Sequence, residues 1–347
     1  MYQDFFYNII YSLILLLCAL FVVILIYVFI KNQHAKERAK WHRLISDLIS
    51  KALFDEQPDL AFVGRMGKLA LHRRFRTCLL HEIIQTKKQL AGDAGARLKK
   101  LYELFKLNKD SDVKLNSLRW HIKAKGIQEL SLMEQTCHVK RIFRLTNYKN
   151  ELVRNEAQCG LINFYGFRGL RFLNVMVHTL SQWQQIQLLN KLNGALPEDM
   201  STINKWLKSR NESVVEFALK LATHYNYTEV YDDVISCLKL SGQQVRIQAI
   251  NYLKKMPTSE TGDMILQDYQ LQSRQTRLFI LDALKEIGNE NHVPFLIGQL
   301  HESDEEVLSE ILATLLILNP PGSLQSSILN LNPQPSLVHR FNNEHAA

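Results

Sequence analysis

Histidine next to a carboxylate is where metal chemistry would begin in this chain of 347 residues. His81-Glu82 opens like the H-E-x-x-H zinc motif, in which two histidines one helical turn apart hold the metal and the glutamate serves as base. Position 85 is Gln, so the second ligand is missing. The other such pair, His301-Glu302, sits in a polar turn. Nucleophile and phosphate-loop patterns are absent too: there is no G-x-S-x-G, no G-x-x-x-x-G-K-[ST] and no G-x-G-x-x-G, and Gly64, Gly67, Gly166 and Gly169 stand singly in helical text. Cys78, Cys159 and Cys237 fall among aliphatic residues at helical spacing, where cysteine acts as a small core residue. With Cys18 and Cys137 the cysteines are odd in number and include no C-x-x-C, which suits a reducing compartment and suggests neither a disulfide framework nor a zinc knuckle. No catalytic residue, metal or cofactor is expected. Trp41, Trp120, Trp183 and Trp206 are read either as partner anchors or, more commonly for helix pairs, as core.

The elements that carry these residues begin with an uncharged run from Phe5 to Ile30, 26 residues long. As a helix it reaches about 39 Å, enough to cross a hydrocarbon core of about 30 Å with tilt. Tyr2, Phe5, Phe6 and Tyr7 at one end and Tyr27 and Phe29 at the other suit interfacial belts. A cleaved signal peptide would want a basic start, a shorter apolar core and a small-x-small site, and the only charge before the run is Asp4. Lys31, Lys36, Arg38, Lys40, Arg43 and Lys51 follow the run, with no Lys or Arg before it. The positive-inside rule then puts the N-terminus outside and the rest in the cytoplasm.

Beyond Lys31 the text is helical and repetitive. Val214, Val245, Thr276 and Val307 are each 31 residues apart, and Ala218, Ala249, Ile280 and Ile311 keep the same register, as do Leu219, Ile250, Leu281 and Leu312. A second ladder, Ile203, Val234, Ile265 and Leu296 with Leu207, Leu238, Tyr269 and Leu300, precedes the first and forms an i, i+4 apolar stripe. Each unit therefore reads as helix A, a polar turn, then helix B. The turns at 209–213, 240–244, 272–275 and 302–306 are rich in Ser, Asn, Asp, Gln and Gly. Upstream, residues 110–122 are read in the same register, with Val113, Ser117 and Leu118 matching Val245, Ala249 and Ile250. No strand alternation appears, so the expected fold is all-α: an N-terminal transmembrane helix followed by an α-solenoid. The expected divisions are 1–30 for the anchor, 31–54 for a basic juxtamembrane helix, 55–320 for the solenoid with its clearest repeats at 198–318, and 321–347 for a cap and tail.

On the stretches NELVRNEAQCGL at 150–161, SGQQVRIQAINYL at 241–253 and QSRQTRLFILDAL at 272–284, the chain resembles the HEAT-repeat superfamily, particularly its short phycobilisome-lyase-type repeats. Arg154, Arg246 and Arg277 occupy the position where that family places an arginine to pair with an aspartate in the turn. Val215 and Leu308 depart from it, so the resemblance implies only a partial polar ladder. It also implies that B helices line the concave face of a binding scaffold. The polar B-helix positions Glu216, Lys220, Arg246, Gln248, Asn251, Arg277 and Asp282 are then the candidate contacts for a protein partner, with core packing or solvation as the plainer reading of each. Deoxyhypusine hydroxylase looks superficially similar, but it binds iron through several His-Glu pairs at equivalent positions, whereas His81-Glu82 and His301-Glu302 are not equivalent. A HEAT-repeat enzyme of lyase or metal-dependent hydroxylase type is the alternative reading.

Charge divides the chain. Residues 31–150 hold 26 Lys and Arg against 12 Asp and Glu, or +14, and residues 151–347 hold 16 against 21, or −5. Lys31, Lys36, Arg38, Lys40, Arg43, Arg73, Arg74 and Arg76 are candidates for anionic lipid headgroups, worth about 1 kcal/mol each near the surface. Nucleic acid is a weaker reading, since no aromatic-basic interleaving accompanies the stripe, and plain solvated helix faces are the third. The functional expectation is a membrane-tethered scaffold or adaptor on the cytoplasmic side of a bacterial inner membrane, holding a protein partner. By resemblance, that partner is a membrane glycosyltransferase or another enzyme of an envelope polysaccharide system. A reporter fused after Ala347 is expected to be active only as a cytoplasmic fusion; activity as an external fusion would reverse the orientation.

Overall fold

The uninterrupted apolar run and the basic stretch after it form one helix, α1 (Tyr2–Phe54), in a computed structural model that describes residues 2–54, 60–90, 92–192, 197, 199–239 and 242–318. Residues 55–59, where the solenoid is expected to begin, and the cap and tail expected at 321–347 lie outside the described residues. Among the described residues α1 is the one helix long and apolar enough to cross a membrane, with mean hydropathy 3.0 over its most apolar 18-residue window. From Ile14 to Ile30 its aliphatic and aromatic side chains are exposed all round. No strand occurs among the described residues. The chain divides into two units, residues 1–165 and 166–347.

In the first unit α1 changes character at Trp41. Residues 36–40 are exposed, whereas Ile45, Leu48 and Ile49 are buried at 3- and 4-residue spacing against α3 (Arg73–Gln89) and α4 (Gly92–Leu104). That spacing places one apolar stripe on one face. Phe75, Leu79, Leu80, Ile83 and Ile84 of α3 and Leu98, Leu101 and Tyr102 of α4 complete the core, with α2 (Leu60–Leu69) contributing Met66. Trp41 stands edge-on to Phe75 with ring centroids 6.0 Å apart, and Arg97 donates to the Leu53 carbonyl at 3.0 Å. The end of α1 is thus held by a side chain from α4.

The register expected over 110–122 is not the one observed. Instead of one helix, α5 (Asn108–Leu115) and α6 (Trp120–Leu132) form a pair joined by residues 116–119. Ser117 accepts from the Arg119 N–H at 3.2 Å, and Arg119 is extended, so the chain reverses there. Val113 and Leu118 consequently face solvent, Leu118 at 97% exposure, while Leu115, Ile127 and Leu130 take the interior. Gly126 permits the crossing, because a Cβ on it would lie 2.5 Å from the Leu115 nitrogen. Beneath it Glu129, 1% exposed, accepts from Ser111 at 2.8 Å and Lys114 at 2.5 Å, which offsets the desolvation of its charge. α7 (Val139–Arg144) and α8 (Glu151–Tyr165) close this unit, α8 packing on α6.

The second unit opens with a 3-10 helix, Gly166–Val175, and α9 (Gln182–Leu192). Four helix pairs follow. The A helices are α10 (Thr202–Leu207), α12 (Tyr231–Cys237), α14 (Thr261–Leu266) and α16 (Val293–Gly298), and the B helices are α11 (Glu212–Tyr225), α13 (Gln243–Lys255), α15 (Arg274–Ile287) and α17 (Glu305–Ile317). Every B helix begins 31 residues after the last, and so do the capping residues Asn211, Gly242, Ser273 and Asp304. Asn211, Ser273 and Asp304 each accept from a first-turn backbone N–H. Gly242 bears no side chain, and a Cβ there would meet the Glu212 carboxylate at 2.7 Å. Adjacent B helices pack side by side and each A helix packs on a B helix, giving two layers within this unit. The B-helix ladders are buried, with Val214, Ala218, Val245, Ala249, Thr276, Ile280, Val307 and Ile311 all at 1% exposure or less. Of the A-helix ladder, Ile203, Val234, Ile265 and Leu296 are buried and Leu238 and Leu300 half-buried. Two tryptophans are not core: Trp183 is 66% and Trp120 45% exposed, against 2% for Trp206.

The α5–α6 reversal is checked by a pair of substitutions. Leu115→Ala is expected to cost about 2–4 kcal/mol in chemical denaturation, as a buried leucine does, and Leu118→Ala to stay within about 0.5 kcal/mol. The opposite ranking would restore the single-helix register.

Candidate protein-binding surface

A constant repeat turns each exposed B-helix position into a column. Positions 213, 217, 220 and 224, one helical turn apart on α11, recur 31 residues later on α13 as Gln244, Gln248, Asn251 and Lys255, and on α15 as Gln275, Phe279, Asp282 and Glu286. All eight of the latter residues are exposed or half-buried. On α11 the same face is closed by Phe217, fully buried, and carries half-buried Lys220 and exposed His224.

Polar contacts stitch neighbouring B helices along this face. Gln243 donates to Gln275 at 2.9 Å, Lys254 reaches Asp282 at 2.8 Å and Glu286 at 2.7 Å, Lys285 pairs with Glu310, and Lys255 donates to the Thr223 carbonyl at 2.8 Å. Asp282, then Glu286, holds the Lys254 ammonium above the usual lysine range. Such exposed pairs contribute about 0–1 kcal/mol each, so they set alignment more than stability.

The seven sequence candidates do not form one surface. Gln248 and Asn251 lie half-buried on the α13 face, and Asp282 lies beside them on α15, bonded to Lys254. Lys220 is held by Glu216 at 2.8 Å and Gln185 at 2.8 Å, with Gln182 as a third partner, and Glu216 itself is buried at 6% exposure. Arg246 and Arg277 point between the layers. Arg246 lines a cavity of about 30 Å³ with Ile235, Met264, Asp268 and Gln272, and Arg277 pairs with Glu302 and lies 6.0 Å from the Tyr269 ring. Arg277 thus acts as a brace, with Glu302 as its partner. Asp304, the turn acid of the last pair, binds Arg274 instead at 2.7 Å.

Gln244, Lys254, Lys255, Gln275, Phe279 and Glu286 belong to the same face and were not among the candidates. The signal was present: adding 31 to one exposed position finds the next.

Of the basic candidates, Lys31, Lys36, Arg38, Lys40 and Arg43 are exposed on α1, and Arg73 and Arg74 are exposed at the start of α3. Arg76 is engaged, donating to Asp110 at 2.5 Å and to the Lys106 carbonyl at 2.5 Å. His81 and His301 are exposed, and among the described residues no three His, Cys, Asp or Glu side chains group as a metal site. Burial pushes the Cys237 thiol up to about 11, so the thiolate is scarce at neutral pH.

No family model and no curated protein matches the sequence. Solved structures similar to the chain include an engineered protein, at 14% identity over 85% of this chain and 92% of that one, with TM-score 0.37. Importin beta is similar at 10% identity over 81% of this chain and 44% of that one, TM-score 0.39, and Kap121p bound to Pho4p at 10% over 84% and 35%, TM-score 0.33. The chain thus spans under half the length of these two larger proteins. Nothing about partners follows from likenesses of this size.

Asp304 supplies a pH test of the brace and cap. Its carboxyl is held below the usual carboxylate range, first by the Val307 N–H and also by Arg274 and the Glu306 N–H. A depressed folded-state pKa contributes stability present above the ordinary Asp value of about 3.9 and lost as pH falls below it. The drop in Tm on acidification from about pH 5 to 3 is therefore expected to be smaller in Asp304→Asn than in the wild type. An equal drop in both would show that Asp304 is not coupled to folding.

Proposed function

We propose that this chain is a membrane-tethered helical-repeat scaffold of HEAT type, whose second unit offers its B-helix face to a protein partner in the cytoplasm. One observation carries the reading: within four helix pairs in a strict 31-residue register, α13 and α15 present aligned columns of polar side chains, Gln244, Gln248, Asn251, Gln275 and Asp282 among them, with one half-buried aromatic, Phe279. Repeats that contact only their neighbours give extended surfaces rather than deep pockets, and an aromatic set among polar groups is the composition of an interface anchor.

The tether rests on α1, whose exposed apolar run has no covering element among the described residues of its unit. The basic flank favours a cytoplasmic body, and an envelope polysaccharide enzyme in the same membrane is the partner class that the family resemblance suggests.

Crosslinking in membranes followed by affinity capture tests this. A partner captured by the wild-type chain is expected to fall at least tenfold with the double substitution Gln248→Arg, Asn251→Arg, while Tm stays within about 2 °C. Unchanged capture by the variant would refute the B-helix face as the binding surface. Stoichiometric iron or zinc in the purified protein would favour the enzyme instead.

A further inference from the structure

The turn between α2 and α3 holds Leu71 at 86% exposure, unusual for a leucine beside a well-filled core. It is not alone. Leu71 lines a groove of about 540 Å³ with Leu104, Phe105, Val113, Lys106, Lys109 and the Arg76–Asp110 ion pair, and Leu104 is 55% and Val113 71% exposed. Lys68, Arg73 and Arg74 flank the turn on the chain and are exposed. Three protruding aliphatic tips within a ring of cations are what an interfacial lipid contact requires: apolar groups to enter the acyl boundary and long basic side chains to reach headgroup phosphates.

Charge and position both select a bilayer as the occupant. Among the described residues, four acids of this unit are engaged within it: Asp110 by Arg76, Asp112 by Arg141, Glu129 by Lys114, and Glu134 by Lys87 and Lys99. The groove wall itself carries Arg76, Lys106 and Lys109 against Asp110, a surplus of two positive charges, and Lys106 and Lys109 are exposed. The Leu71 turn also stands at the end of the unit from which α1 leaves, because Phe75, four residues on, packs against Trp41, the residue at which α1 first meets the body. Residues 31–40 separate Trp41 from the apolar run by about 15 Å of helix.

We infer that the Leu71 groove is a second membrane contact, in which Leu71, Leu104 and Val113 enter an anionic leaflet beside α1 and Lys106, Lys109 and Arg73 bind its headgroups. This rests on α1 spanning the bilayer as proposed above. It gives the first unit a defined orientation on the membrane instead of a free swing about a stalk.

Site-specific photo-crosslinking of the full-length chain separates the two claims. The replacements are Leu71→p-benzoylphenylalanine, Val113→p-benzoylphenylalanine and, within α1, Leu17→p-benzoylphenylalanine. Each protein is reconstituted in vesicles of phosphatidylcholine alone or with phosphatidylserine at 7:3, and lipid adducts are read by mass spectrometry. Position 17 is expected to form adducts in both vesicles, and positions 71 and 113 at least fivefold more in the anionic ones. Arg73→Glu with Lys109→Glu is expected to lower the yield at 71 at least fivefold and leave that at 17 unchanged. Adducts at 17 without adducts at 71 and 113 overturn the second contact while keeping the span. Adducts at 71 without any at 17 overturn the span and leave a peripheral lipid site, and none at either position overturns both. Crosslinks from 71 to a second protein chain overturn the lipid assignment in favour of a protein on the groove.

Discussion

A short helix cannot bury its own apolar stripe, and the second unit depends on that constraint. The A helices of this unit span six or seven residues and the B helices 13 or 14, below the length at which an isolated helix is stable in water. Each pair holds only because its neighbour repeats the same offset, so Val245 meets the layer that Val214 began and Thr276 continues it. The capping residues enforce the offset. Asn211, Ser273 and Asp304 terminate their helices at the same point of the repeat, and Gly242 does so by omission, leaving room for Glu212. Any insertion in one turn would move a cap, and with it a whole ladder, off register.

The same logic explains what could be read in advance. Val214 through Val307 were legible because a position that recurs four times carries its own control. The α5–α6 pair was not, because its turn at 116–119 contains neither Gly nor Pro and its apolar residues mimic a continued stripe: Leu115 and Leu118 are equally apolar, and only the reversal decides which one is buried. Side-chain direction was the second blind spot. Arg246 and Arg277 are polar residues on a B helix, yet their long stems carry the guanidinium between layers, so polarity alone could not separate a brace from a contact. Phe279 was passed over for the converse reason: an aromatic in a helical stripe resembles core until its column is drawn.

α1 joins two compositions along one axis. From Ile14 to Ile30 its side chains are apolar and exposed in every direction, the pattern on which the proposed span rests. From Trp41 the apolar residues retreat to one stripe, because here a protein core meets one side and water the other. The ten residues between, with Lys31, Lys36, Arg38 and Lys40, belong to neither and are exposed, apart from a short stretch outside the described side chains. Composition changes along the helix axis while the backbone continues unchanged, so the boundary is chemical rather than conformational.

That continuity has a mechanical consequence. A helix of 53 residues measures about 80 Å, and its last turns are packed into the first unit by Ile45, Leu48 and Ile49 and held by Arg97 at the Leu53 carbonyl. Any force or tilt on the apolar part is therefore transmitted to the α3–α4 layer with no hinge of glycine or proline between, since residues 14–54 contain neither. A flexible linker would have let the body turn independently of the apolar run. A continuous helix removes that freedom, so the orientation of the cations and exposed leucines on the first unit is fixed relative to the axis of α1.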